Sequence, residues 1–509
     1  MMNSIMNGSI YELLSSNEKS NDMYILEREI FIKDIYKYYI KGGFYNIILS
    51  NTLDILSLIF GSLFAMFVFI FLDWGTIIKC DKIKKIDVEE CGALITYINI
   101  NSLITPNFFQ VFVLFFIFVT GLFTIYKILI FYSEVKKYSS ICDYYKNKLN
   151  ITSKNLEEKS WDDIINLSSK NENIQIDKIT SIILRDENYF IALINNNIYN
   201  ISNISFTRQL EFNLYYGVNC LEFLIKTEEQ IKNRLIKLGI INLILSPFIL
   251  IYIIVSFIFK NIDEIYLNKK ILGPRRYTQL SKWKFREYNE LEHYFTIRLN
   301  KSIKYSNEYS KQFPSLFTEN IFKFTGMISG AFIVLFLLFS ILDENILLYV
   351  TFLNRSLIFY AGIFATISAI SRSFIVEPEN SIYDPNFVME KVAKYTHYMP
   401  EHWKNNSNKN KVRNEFLSMF NYIIILFLYE IVSVFTTPYI LLFVLPKDVK
   451  KIHLFLKKNT TYIKEIGTIC KLSDFNTNEN EIENVNNKLE SSISYFSDNH
   501  PLWMSVEKI

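Results

Sequence analysis

The stretch Gly273-Pro-Arg-Arg-Tyr-Thr-Gln-Leu-Ser-Lys-Trp-Lys-Phe-Arg-Glu-Tyr-Asn-Glu-Leu-Glu-His-Tyr-Phe-Thr-Ile-Arg-Leu299 lies between two strongly apolar segments, residues 238–259 and 324–342. Cations recur through it at Arg275, Arg276, Lys282, Lys284, Arg286 and Arg298, with Tyr277, Trp283, Phe285, Tyr288, Tyr294 and Phe295 set among them. Between lipid-compatible segments such a mixture predicts a belt at a membrane surface. There Lys and Arg extend their heads to phosphates, and rings settle in the headgroup layer. Such a belt either handles lipid or only anchors the helices beside it.

The rest of the chain supports a membrane setting. Half of its 509 residues are hydrophobic, with 44 Phe and 33 Tyr, while Gly and Pro number only 14 and 10. That balance favours long helices over a turn-rich β-barrel. A net charge of +3 is too small to suggest nucleic acid, and the cations concentrate between apolar segments. The first 25 residues are polar and acidic-leaning, so no cleavable signal peptide is expected. Tyr11-Glu-Leu-Leu14 fits a tyrosine-based sorting signal, a four-residue pattern that chance also produces often.

Six apolar segments follow in order: about 47–72, 108–131, 238–259, 324–342, about 346–371, and 416–445. Ile55 to Leu72 carries no charge and is long enough to cross the hydrocarbon core. If all six crossed from a cytosolic amino terminus, the belt and the basic stretch 372–415 would face outward, against the positive-inside tendency. If segments three and six instead enter and return on the cytosolic side, all of those cations become cytosolic. These two segments also carry the internal prolines Pro247 and Pro438, which suit kinked helices buried against protein.

The expected fold is an all-α multipass membrane protein with four transmembrane helices and two re-entrant segments. Its regions are a cytosolic amino-terminal segment (1–46), a first hairpin (47–132) with lumenal loop 80–107, and a mostly helical cytosolic domain (133–237). Re-entrant segment 238–259, belt 260–323, second hairpin 324–371, connector 372–415, re-entrant segment 416–445 and a cytosolic carboxyl-terminal region (446–509) complete it. A helix is expected near 24–41, and a small strand pair around 189–201.

No phosphate-binding loop, dinucleotide fingerprint, zinc-protease motif or nucleophile elbow occurs. His397 and His402, five apart, fall on different helical faces and do not suggest a shared metal. The five cysteines form no C-x-x-C pair. Cys80 and Cys91 share the predicted lumenal loop, where they either close a disulfide or remain two thiols. Neither covalent catalysis nor a cofactor is expected, and the absence of internal repeats argues against an ion-coupled transporter. The distinctive features left are ionisable residues at membrane depth: Lys323, Arg355, Arg372, Glu377 and Glu430. Such groups normally face a protein interior or a wet cavity.

Leu272-Gly-Pro-Arg-Arg-Tyr277, Trp283-Lys-Phe-Arg-Glu-Tyr-Asn-Glu-Leu291 and Arg298-Leu-Asn300 resemble the core signature of the autophagy-related protein 9 family. The resemblance extends to Tyr38-Tyr39, Lys41-Gly-Gly-Phe44, Asp73-Trp74, Arg185, Asn188-Tyr189, Ile191-Ala-Leu193, Asn195, and Leu245-Ser-Pro-Phe248 with Tyr252. It continues in His397-Tyr-Met-Pro-Glu-His-Trp403, Glu415-Phe416, Thr437-Pro438, Leu441, Lys488, Ser492, Phe496 and Pro501-x-Trp503.

The resemblance implies a homotrimer that scrambles phospholipids between leaflets without ATP as an autophagosome membrane grows. It implies a bridge-like lipid-transfer protein as partner. It also implies residence on the phagophore or preautophagosomal membrane and on Golgi- and endosome-derived vesicles. The alternative function is a trimeric scaffold that recruits the autophagy machinery, with scrambling incidental. Contacts that relatives make through longer tails are not carried over. On the scrambling reading, Arg275, Arg276, Lys282, Lys284, Arg286, Lys323, Arg355 and Arg372 contact headgroup phosphate, while Glu377 and Glu430 balance the charge.

Overall fold

The computed structural model describes residues 16–75, 77, 98–99, 106–153, 155–172, 174–199, 201–217, 220–267, 274–313, 316–353, 355–374, 383–463, 466–475 and 487–500. Tyr11–Leu14, Cys80, Cys91, Glu377, Pro501, Trp503 and nearly all of the 80–107 loop lie outside the described residues. The chain divides into two compact units, and the boundary at Ile183/Leu184 falls inside the region expected to be one domain, 133–237.

The first unit is built on a helical hairpin. Helix α1 (Ser16–Ile40) ends at Gly42 and Gly43, whose φ angles of 71° and 91° turn the chain sharply. Helix α2 (Phe44–Met66) follows and runs into a π-helical turn at Phe67–Phe71. Its partner α3 (Phe108–Asn147) starts in a capping box of Asn107 and Gln110 and extends well past the apolar segment that predicted it. Where both helices are apolar, small hydroxyls meet: Ser62 Oγ lies 3.3 Å from Thr120 Oγ1. At the polar end Tyr145 donates to the Ile35 carbonyl at 2.9 Å, and Lys137 pairs with Asp34 at 2.7 Å. Helices α4 (Trp161–Glu172) and α5 (Ile176–Ile183) close this end, with Trp161 edge-on to Tyr36.

The second unit is centred on α6 (Arg185–Asn195), in which Tyr189 through Ile194 are all buried. The strand pair expected around 189–201 is therefore wrong. A helix covered on every side shows no 3.6-residue periodicity, and its unbroken apolar run imitates a strand. Next come α7 (Arg208–Phe212), then α8 (Glu228–Ile244), capped by Thr227 and Gln230, and α9 (Ser246–Leu267). The chain bends by 67° between α8 and α9, at Leu245-Ser246-Pro247, as the proline suggested.

Strand β1 (Arg275–Tyr277), α10 (Gln279–Phe285) and α11 (Glu292–Lys311) are the folded form of the belt. Then α12 (Leu316–Leu342) and α13 (Leu357–Phe374) pack as a second hairpin, with Phe332 stacked on Phe364 and Thr325 Oγ1 3.0 Å from Ser371 Oγ. Helix α14 (Pro385–Thr396) packs on α11, and α15 (Asn410–Met419) leads into β2 (Phe420–Tyr422), antiparallel to β1. Helix α16 (Ile423–Tyr439) continues through a π-turn at Ile440–Val444 into α17 (Leu445–Lys458), and α18 (Asn487–Asn499) is the last described helix.

Among the described residues four helices are long and apolar enough to cross a membrane: Phe44–Phe71, Phe108–Asn147, Asn320–Leu342 and Ile423–Lys458. The fourth is segment six, expected to be a kinked re-entrant segment around Pro438. It does not break, because the π-turn directly after the proline shifts the hydrogen-bond register while the helix runs on. Its apolar window is 33% buried against 6–11% for the other three, so protein covers it far more than it covers them. Segment five is shorter than expected. A two-residue ladder, Thr351–Phe352 with Arg355–Ser356, and Leu353 at φ 47° interrupt it. The 18 residues of α13 remain, about 27 Å of helix, near the lower limit for a crossing.

Gly239 lets α8 approach the π-turn. A Cβ there would lie 2.7 Å from Leu442 Cγ and 3.3 Å from Leu441 Cβ. Gly239→Val is expected to cost about 1–3 kcal/mol through overpacking. Gly121→Ala, with nothing within 4 Å of its Cβ, should leave stability unchanged or slightly raised. Thermal unfolding of the two variants in detergent measures the contrast.

Candidate functional site

The belt does not lie flat on a surface. Tyr277, Trp283, Phe285, Tyr288 and Phe295 are all buried, and they line the hydrophobic cores of the second unit. Arg286, Glu287, Glu290 and Arg298 are buried with them and need partners, because an unpaired ion in a protein interior is expensive. Arg298 grips Glu290 with two hydrogen bonds, Nε to Oε1 at 2.8 Å and Nη2 to Oε2 at 2.7 Å, and also donates to the carbonyls of Phe285 and Tyr395. Arg286 pairs with Glu292 at 3.1 Å and lies over the rings of Trp283 and Phe295. This corrects the expectation for Arg286. Its guanidinium is spent inside the fold and cannot contact a headgroup.

Glu287 is the centre of this kernel. Its fully buried carboxylate receives Lys488 Nζ at 3.2 Å, Ser491 Oγ at 2.9 Å and Ser492 Oγ at 2.6 Å, and lies 3.1 Å from His397 Nδ1. Burial by itself would raise the carboxyl, but the Lys488 ammonium, His397 and Ser492 together bring it down to about 2. Burial in turn pulls the Lys488 ammonium down, partly offset by Glu287. Beside it Asn289 holds φ 55°, donates to the Ser473 carbonyl, and exchanges hydrogen bonds with Asn188 of α6.

The remaining candidates separate into two groups. Arg275, half-buried, lies 4.1 Å over the Tyr422 ring, and Arg276 is exposed on the same strand. Lys284 is half-buried, with its ammonium pulled down by burial. Lys323 is exposed on α12, Arg372 is exposed near the end of α13, and Arg355 is exposed over Phe359 at the turn between them. The fold does bring Lys282 and Glu430 to one cluster. Glu430, on α16, accepts the backbone N–H of Arg208 at 3.1 Å and feels the charges of Arg208, Glu211 and Lys282. Burial lowers the Lys282 ammonium, nearby Arg208 lowers it further, and Glu211 partly offsets both. Burial raises the Glu211 carboxyl, although Trp283 donates to it at 2.7 Å.

From this cluster a line of amides and hydroxyls runs between α7, α8 and α16. Ser433 donates to Gln209 at 3.2 Å, Gln209 donates to Asn242 at 3.0 Å, and Asn242 donates to Asn213 at 2.7 Å. Lys282, Arg208, Glu211 and Glu430 thus form the charged end of a polar seam between α7, α8 and α16. Sequence reasoning missed Arg208, Gln209, Glu211, Asn213 and Asn242. Only Asn242 gave a signal, as a lone amide inside an apolar segment.

The four apolar helices, the bent pair and the small-residue contacts between helices define a multipass helical membrane protein. A sequence profile described as "Autophagy protein ATG9" matches residues 25–476. Autophagy-related protein 9 of Dictyostelium discoideum is 32% identical over 93% of this chain and 72% of its own length. Its Saccharomyces cerevisiae counterpart is 30% identical over 92% of this chain and 49% of its own, so this chain spans about half of the yeast relative. The cryo-EM structure of Schizosaccharomyces pombe Atg9 superposes with a TM-score of 0.63 at 25% identity, covering 88% of this chain and 98% of that one. The chain belongs to the autophagy-related protein 9 family.

The depressed carboxyl of Glu287 ties stability to pH. Its contribution is complete above the ordinary carboxylate range and is lost as pH falls through that range toward about 2. Glu287→Gln leaves Lys488 buried without its counter-charge and is expected to cost about 3 kcal/mol or more at neutral pH. Melting temperature against pH should fall less steeply on the acid side in the variant than in the natural protein.

Proposed function

We propose that the chain is an ATP-independent phospholipid scramblase that re-equilibrates lipid between leaflets as an autophagosome membrane forms and expands. Family membership gives the autophagic setting. The observation that carries the reading is the cluster of Lys282, Arg208, Glu211 and Glu430, partly open to the surface, because a scramblase must offer a headgroup polar contacts while the acyl tails stay in lipid. Lys282 and Arg208 supply cationic contacts for a phosphate, and Glu211 and Glu430 keep the entrance from becoming a trap. Weak, multiple contacts let the lipid leave again. Arg275, Arg276, Lys323, Arg355 and Arg372 are further phosphate contacts on this reading. The working form is a homotrimer of four-crossing protomers, with segment three, bent by 67° at its proline, re-entrant. A bridge-like lipid-transfer protein supplies lipid to one leaflet, and the sites of action are the phagophore and Golgi- or endosome-derived vesicles.

The test is purified protein in liposomes carrying a headgroup-labelled lipid and an impermeant quencher. Without ATP, clearly more than the outer-leaflet share of label should become quenchable. Lys282→Leu combined with Glu430→Gln should slow the exchange on the order of tenfold, equivalent to about 1.4 kcal/mol of barrier, with an unchanged size-exclusion profile. Quenching that stops at the outer leaflet for the natural protein would favour the recruiting scaffold instead.

A further inference from the structure

Helix α17 carries a feature that the lipid path does not use. Its sequence, Leu445-Pro-Lys-Asp-Val-Lys-Lys-Ile-His-Leu-Phe-Leu-Lys-Lys458, contains five lysines and a single acid, Asp448. Leu445, Val449, Ile452, His453 and Leu456 are buried and fix one face against the unit's core. Lys447, Lys450, Lys451, Lys457 and Lys458 are all exposed, and at about 100° per residue they fall with Leu454 within an arc of about 120°. Leu454, at the centre of the arc, is 58% exposed.

This face continues an apolar one. In the same unbroken helix, Phe435, Tyr439 and Phe443 are each more than half exposed and recur at steps of four residues. The outward stripe therefore changes from aromatic to cationic within one turn, between Phe443 and Lys447. A change of that kind marks where hydrocarbon gives way to phosphate.

We propose that the outer face of α17 lies on the bilayer and binds anionic phospholipid headgroups, with Leu454 sunk between them. Charge decides the occupant. A lysine cluster directly after a membrane-embedded helix complements an anionic leaflet. A second copy of the same face would bring ten lysines together and repel. An apolar side chain at the centre of the arc gains nothing from a soluble polyanion but is stabilised when it enters the acyl boundary.

The experiment is acetylation footprinting of the full, unmodified chain in nanodiscs, with each lysine quantified by mass spectrometry. In discs with about 30 mol% phosphatidylserine, the five lysines should react several-fold more slowly than in pure phosphatidylcholine. Raising salt to about 0.5 M should restore their reactivity, while Lys146 and Lys148 on the first unit serve as internal references. Leu454→Glu should weaken the protection without lowering the melting temperature, since that side chain is exposed. Equal reactivity in both lipids overturns the proposal. So does equal protection in phosphatidylcholine discs by soluble inositol hexakisphosphate, which would mark a polyanion site, or by raised protein concentration, which would mark self-association.

Discussion

The buried carboxylate of Glu287 is the constraint on which the second unit depends. An ion with no exposure to water is tolerated only if its partners are held in place, and here they come from two distant parts of the chain: His397, and Lys488, Ser491 and Ser492 together on α18. Glu290, three residues on, does the same with Arg298. Together they fix the turn between α10 and α11. The orientation of α10 then follows, and with it the two groups that reach the polar seam, Lys282 and the Trp283 indole that holds Glu211. The buried ion-pair kernel and the Lys282 cluster thus sit within six residues of one another in sequence, the first closed off from water and the second only half-buried.

That distinction explains what the sequence did and did not reveal. The apolar segments, the bend at Pro247 and the asymmetric distribution of cations were legible because each is a property of a single stretch. The belt was misread because alternating rings and cations have the same composition at a headgroup layer and in a buried ion-pair kernel. The useful clue was the acids within it: Glu287, Glu290 and Glu292 lie between Arg286 and Arg298, close enough in sequence to pair with them. Pro438 misled for a different reason. A proline removes a hydrogen bond, but whether the helix breaks or takes up a π-turn depends on the neighbours that hold it, here the close approach permitted by Gly239. The seam was nearly invisible, because Gln209, Asn213, Asn242 and Ser433 come from three helices and only the fold brings them together.

The membrane hairpins follow another rule. Between apolar helices surrounded by lipid no hydrophobic force favours contact, so close packing and short polar bridges must supply it. Each hairpin has such a bridge, Ser62 with Thr120 in the first unit and Thr325 with Ser371, in the last turn of α13, in the second. Gly326, whose absent Cβ would lie 3.3 Å from Ser371, lets the second pair come close. Many large aromatic side chains face outward, but the second hairpin also stacks Phe332 on Phe364 between its helices.

The separation in sequence of the groups around Glu287 has a consequence for biosynthesis. Ribosomes deliver the chain from its amino end, so Glu287 emerges some two hundred residues before Lys488 and Ser492. During that interval its carboxylate has no reason to leave water, and α10 and α11 cannot settle into their final arrangement. The kernel of the second unit is therefore completed only after α18 has emerged, when all six apolar segments have already met the insertion machinery. Until then the kernel stays open, and the arrival of α18 is what lets it close.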